Sequence, residues 1–246
     1  MPQVQRGRIT IITATRMADG ALYDLMSWMS PSWPIGAFAH SSGLEWAVEA
    51  GHANSRAATE SWIAEAIERG AVRTDLVIFV HAHRAAWAGD RRRLVDVAEL
   101  AAATPTSYER HVEATAQGAA FRRIAASTAS TPALQMLDGI ADEALSYPVV
   151  VACLTAGHGI TLEAALTAYL HAVVANLVSA AQRLVPLGQT DGQLVIRALR
   201  ELVFDTVAEM VALDDGEPFD QLGSATLYAD FACMAHETQY TRLFRT

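Results

Sequence analysis

Apolar residues along this chain recur mostly at three- and four-residue steps, the spacing that lines one face of an α-helix. The clearest run is Leu162, Leu166, Tyr169, Leu170, Val173, Leu177 and Leu184, which predicts an amphipathic helix of about 22 residues. Val72 to Ala88 is almost wholly apolar and reads as a buried central helix. Trp62, Ile63, Ala66 and Ile67 share one face of a helix that Asn54 or Ser55 caps and Gly70 ends. Further helices are expected from Leu22 to Met29, Gly43 to Ala50, Thr106 to about Ala126, Leu134 to Leu145, Tyr147 to about Gly157, and from Thr190 to about Leu213. Thr106 with Glu109, and Thr190 with Gln193, have the spacing of capping boxes. No segment alternates apolar and polar positions over a convincing strand length. The expected fold is all-α: a single-domain bundle of about nine or ten helices over residues 21–246, preceded by a flexible N-terminal extension over residues 1–20.

One stretch breaks the helical pattern. Ser30 to Glu45 reads SPSWPIGAFAHSSGLE and holds Pro31, Pro34, Gly36 and Gly43. Proline fixes its own φ and pushes the preceding residue toward extended geometry, so no helix runs through it. Trp33, Ile35, Phe38 and Leu44 are too apolar for an exposed loop, which predicts a buried irregular corner. Buried irregular backbone needs hydrogen-bond partners, and Ser30, His40, Ser41 and Ser42 are placed to supply them.

Composition narrows the function. The chain has 246 residues, 52% of them hydrophobic, enough to bury a sizeable core without cross-links. Its two cysteines, Cys153 and Cys233, do not make a disulfide framework, and no export segment is recognised near the start, so a cytoplasmic location is expected. All 18 basic residues are arginine. Without lysine there is no Walker A loop and no Schiff-base chemistry. A net charge of −9 argues against a nucleic-acid or membrane-surface partner.

Candidate chemistry is sparse. His236-Glu237 begins a His-Glu-x-x-His pattern, but Tyr240 stands where the second histidine is required. Cys233 and His236 are three apart, which favours a packed cysteine beside a hydrogen-bonded histidine over a two-ligand metal site. His81 and His83 point to nearly opposite sides of their helix. Gly188 to Gly192 precedes a helix, where Asp191 as a cap is a better reading than a bound anion. Arg91, Arg92 and Arg93 read as a solvated helix edge, as do Glu201, Asp205 and Glu209. No catalytic, cofactor-binding or metal-ligating residue is nominated, and no enzyme activity is expected.

Three separated blocks together carry a resemblance. They are Ser30-Pro31 with Pro34-Ile-Gly-Ala-Phe38 and Ser41-Ser-Gly-Leu-Glu45; Arg183-Leu-Val-Pro-Leu-Gly-Gln189; and His236-Glu-Thr-Gln-Tyr-Thr-Arg-Leu-Phe-Arg245. With them the chain resembles the UreF family of urease accessory proteins from about Leu22 to its last residue. His40 is a departure, since the family pattern often has tyrosine there. The resemblance implies an all-helical homodimer without a catalytic centre. It also implies binding to UreD, also called UreH, and recruitment of the GTPase UreG for nickel insertion into apo-urease. Nickel and GTP would then be handled by the partners, with no cofactor bound directly. The implied partner-binding residues are Tyr240, Arg242, Leu243, Phe244, Arg245, His236 and Glu237 in a tail ordered against UreD, with His40, Ser41 and Glu45 near a surface that receives UreG. Pro31, Pro34, Gly36, Phe38, Gly43, Arg183, Pro186, Gly188 and Gln189 are the structural positions of the blocks. Two alternatives stay open: a tail that packs on its own domain, and a helical nickel carrier using histidines with Cys153 or Cys233.

Overall fold

A computed structural model describes residues 20–246, and among these residues there are helices and turns but no strand. Residues 1–19 of the expected extension lie outside the described residues, and Gly20 already belongs to the first helix. Helix α1 spans 20–28 and stops ahead of Ser30-Pro31, as proline dictates. The corner that follows contains one 3-10 turn, Ala37–Ala39, and leads into α2, Leu44–Glu49. Ser55 opens α3, Arg56–Arg69, by accepting the N–H of Ala58 at 3.2 Å. Helix α4, Ala71–Ala88, is the buried centre of the bundle, with Leu76, Phe79, Val80 and Ala82 fully enclosed.

The next helices are α5, Arg91–Ala103; α6, Tyr108–Thr128; α7, Pro132–Gln135; and α8, Tyr147–Gly157. After them come α9, Leu162–Leu184; α10, Gln189–Ala198; α11, Arg200–Ala212; α12, Pro218–Gln221; and α13, Leu227–His236. Ten of the helices are seven residues or longer. Helix α4 packs against α3, α5, α8, α9 and α11. A chain of rings ties the layers together: Phe79 to Tyr169 at 5.1 Å, Tyr169 to Tyr147 at 5.4 Å, Tyr147 to Phe121 at 5.6 Å, and Phe121 to Trp33 at 5.6 Å. Such pairs add specific geometry to the area they bury. Helix α9 is long and apolar enough to cross a membrane by length and composition, yet half of its most apolar window is buried inside the fold.

Several local expectations are corrected. The single helix expected from Leu134 to Leu145 is instead α7, a turn through Gly139 at φ +89°, and a 3-10 turn at Asp142–Ala144. The helix expected to run to Leu213 breaks into α10 and α11 at Leu199. Ser107 caps α6, accepting the Arg110 N–H at 3.2 Å, so Thr106 and Glu109 form no capping box. Asp191 caps α10 by accepting the Gly188 N–H at 3.2 Å, in place of the Thr190 and Gln193 pair. Arg91 and Arg92 lie on the solvated edge that their run predicts, where Arg91 donates to the Asp138 carbonyl at 3.0 Å, whereas Arg93 is half-buried and donates to Asp215 at 2.8 Å. Glu201, Asp205 and Glu209 are exposed as their spacing predicts, and Glu209 pairs with Arg73. His81 contacts Gln221 and His83 contacts the Ile160 carbonyl, on different elements as their spacing requires.

Candidate functional site

The three sequence blocks meet at one place. Helix α2, the C-terminal end of α9, and the segment after α13 enclose a small second core of Leu44, Ala47, Ala53, Ala180, Ala181 and Phe244. Gly43 allows the closest approach in this assembly. It sits at φ +79°, and a Cβ there would lie 2.9 Å from both the backbone nitrogen and the Sγ of Cys233 on α13. Side chains other than hydrogen are disfavoured on both counts. Gly36 also has a left-handed φ, +76°, but open space around it, so its role is conformational.

A buried polar network fastens the tail above this core. His236 is fully enclosed at the end of α13. Its Nδ1 lies 2.7 Å from Glu109 Oε2 and its Nε2 lies 2.9 Å from Glu45 Oε2. The Glu45 carboxylate also accepts two successive tail N–H groups, from Leu243 at 2.6 Å and Phe244 at 2.9 Å. Arg242 donates to Glu109 Oε1 at 3.0 Å. Further along, the Arg245 N–H donates to the Ala39 carbonyl at 2.8 Å, and the Ser41 N–H donates to the Thr246 carbonyl at 2.7 Å. His40 Nδ1 meets the Thr246 hydroxyl. The Arg183 guanidinium lies 4.1 Å from the centroid of the buried Phe244 ring, a cation–π contact. Gln239 donates to Glu49 at 2.6 Å, and Glu237 accepts the Tyr108 N–H at 3.0 Å.

Burial sets the protonation tendencies here. It raises the pKa of Glu109 against the opposing pull of His236 and Arg242, lowers that of His40, and pushes the Cys233 thiol up to about 12. Cys233 is therefore a neutral packed thiol at physiological pH. Cys153 is likewise free and buried.

A second polar group lies beside the first. Arg110 donates to Glu113 at 2.7 Å and to Ser42 at 3.1 Å, and reaches Asp75 at 3.5 Å. Burial pushes the Asp75 carboxyl up to about 6. These side chains open on a cavity of about 1130 Å³ that Trp33, Ile35 and Phe38 of the corner also line. Among the described residues, no group of three or more His, Cys, Asp or Glu is arranged to hold a metal ion.

The corner is buried in only one half. Pro31, Pro34 and Phe38 are exposed, Phe38 by 70%, whereas His40, Ser41, Gly43, Leu44 and Glu45 are enclosed. The tail covers the second half and leaves the first free. His236, Glu45, Ser41, His40 and Phe244 lie inside the docked arrangement, while Tyr240, Arg242, Leu243 and Arg245 face solvent. Tyr240 is fully exposed and Leu243 62% exposed. Pro186, Gly188 and Gln189 form the exposed turn into α10. Glu109, whose spacing from Thr106 predicts a cap, joins the site instead. Nothing local in the sequence signals its partner, which is 127 positions away.

Comparison with known proteins bears on the family of the chain. Residues 53–200 match the family model described as UreF. The urease accessory protein UreF of Bradyrhizobium sp. strain BTAi1 is 48% identical over 233 residues, covering 94% of this chain and 95% of that protein. The same-named proteins of Rhodopseudomonas palustris strains BisA53 and HaA2 are each 50% identical, covering 92% of this chain and 93% and 94% of their own lengths. On the family match and these identities, the chain belongs to the UreF family of urease accessory proteins.

Proposed function

We propose that this chain is a non-enzymatic scaffold of urease maturation that works in the cytoplasm as a homodimer. With UreD, also called UreH, it recruits the GTPase UreG, modulates that GTPase, and supports nickel insertion into apo-urease. Nickel and GTP are handled by the partners, and the absence of lysine from the chain supports nucleotide binding elsewhere.

The observation that carries this reading is the tail's two-sided construction. Phe244 is buried as an anchor, Leu243 is turned outward on backbone that Glu45 holds, and Tyr240 is fully exposed. The preceding helix α13 also exposes Leu227, Phe231 and Met234. Apolar and aromatic side chains presented this way mark interaction sites, and aromatics are the usual anchors of interfaces.

The test is the double variant Tyr240→Ala with Leu243→Ala, assayed by co-purification with UreD and by thermal melting. Loss of the complex with an unchanged Tm supports the reading, whereas a complex of wild-type yield overturns it. Removing the tail altogether is a poorer test, because Phe244 and Thr246 are part of the fold.

A further inference from the structure

We propose that the C-terminal tail is held by a proton-dependent latch, in which one proton shared by His236 and its carboxylate neighbours decides whether residues 242–246 stay docked on α2. Both imidazole nitrogens face carboxylate oxygens, Glu109 at 2.7 Å and Glu45 at 2.9 Å. A neutral imidazole carries one N–H, and an ionised carboxylate only accepts. The geometry therefore holds one proton more than a neutral histidine and two carboxylates supply. Glu45 is committed to accepting the N–H groups of Leu243 and Phe244. The extra proton thus resides on the His236–Glu109 pair, as imidazolium or as carboxylic acid.

The surrounding charges leave no substitute for it. Arg242 reaches the other oxygen of Glu109. On α6, Arg110 and Glu113 are paired with each other. Glu49 on α2 is bonded to Gln239, Glu237 to the Tyr108 N–H, and Asp230 on α13 to Thr106. The Cys233 thiol is neutral. Loss of the proton sets a nitrogen lone pair against a carboxylate oxygen inside a dry site, where an unsatisfied contact is costly. The bare nitrogen is then Nδ1, facing Glu109; rotating the Glu109 carboxylate away relieves the clash, and the same rotation lets go of Arg242, the first residue of the docked segment. The tail is docked while the pair is protonated and comes free as the pH rises. Nothing in this step depends on which partner the tail meets.

The experiment is hydrogen exchange at the Leu243 and Phe244 amides of the full chain between pH 6 and pH 9, corrected for intrinsic exchange. It is combined with nitrogen NMR of the His236 ring. Protection in the wild type should fall by about tenfold or more over the pH range in which the Nδ1 signal of the His236 ring shifts. Glu109→Gln should keep its protection across the range. The introduced amide donates to Nδ1 while its oxygen accepts from Arg242, which satisfies a neutral imidazole. Flat wild-type protection overturns the latch, and so does a Glu109→Gln profile that falls as the wild type does. If that variant fails to fold, the wild-type exchange and ring titration decide alone: coincident midpoints support the latch and separate ones overturn it.

Discussion

The carboxylate of Glu45 on α2 accepts the backbone N–H of Phe244 at 2.9 Å, across 199 positions of sequence. The same carboxylate holds Leu243 and His236, so its removal orphans three donors at once. Glu45→Ala is expected to destabilise the protein by about 3 kcal/mol, the scale for stripping one partner from a buried charged network. Glu49→Ala, one turn along and exposed, should stay within about 0.5 kcal/mol of wild type. Urea unfolding of the two variants compares them directly, and equal midpoints would contradict the assigned role of Glu45.

Gly43 and Gly36 separate two reasons for a glycine. Both have left-handed φ, but only Gly43 has backbone within 3 Å of where a Cβ would stand. Gly36→Ala should cost about 1–2 kcal/mol from the backbone alone. Gly43→Ala should cost at least about 1 kcal/mol more, because α2 must move off α13. Chemical denaturation of the pair measures the difference, and its absence would show that α2 and α13 separate freely.

Phe244 and Tyr240 are four residues apart and should behave oppositely. Phe244→Ala empties a place in the second core and removes the ring beside Arg183, at an expected cost of about 3 kcal/mol. Arg183→Ala loses only the contact with the ring face, about 1 kcal/mol. Calorimetric Tm values should therefore rank Phe244→Ala below Arg183→Ala, with Tyr240→Ala indistinguishable from wild type.

Asp75 gives a pH-dependent prediction. Its folded carboxyl, raised to about 6 by burial, binds a proton that the unfolded chain has already lost at that pH. Stability contributed by this group therefore grows as the pH falls below about 6, and the cost of its buried charge is present in full above it. Asp75→Asn removes that cost while leaving Arg110 its pairing with Glu113. The variant should gain on wild type at pH 7.5, and the gain should shrink at pH 5. Urea midpoints at the two pH values test the trend, and a gain that grows on acidification would reverse the assignment.

The helices were legible in the sequence because their determinants are local. The apolar steps of α9 and the run of α4 sit within single elements, as do the Ser55 cap and the Gly70 stop. The meeting of the blocks was not, because each contact spans the chain: Glu45 to His236, Ser42 to Glu113, Arg183 to Phe244. Glu109 shows why such sites mislead. A carboxylate three positions after a threonine has the form of a cap, and only tertiary placement turns it toward His236. Phe38 misleads in the other direction, since its apolar side chain predicts burial and stands at the rim of a cavity.

Gly43 seats α2 directly on α13, and the tail's carbonyl and N–H groups complete the backbone bonding of Ala39 and Ser41 at the foot of the corner. The corner and the tail are thus two halves of one cooperative unit. Whatever draws the tail away also strips the corner of its partners, and whatever braces the corner raises the tail's affinity for its seat. Linkage makes the two effects equal in free energy, so occupancy at one end of the chain is reported at the other.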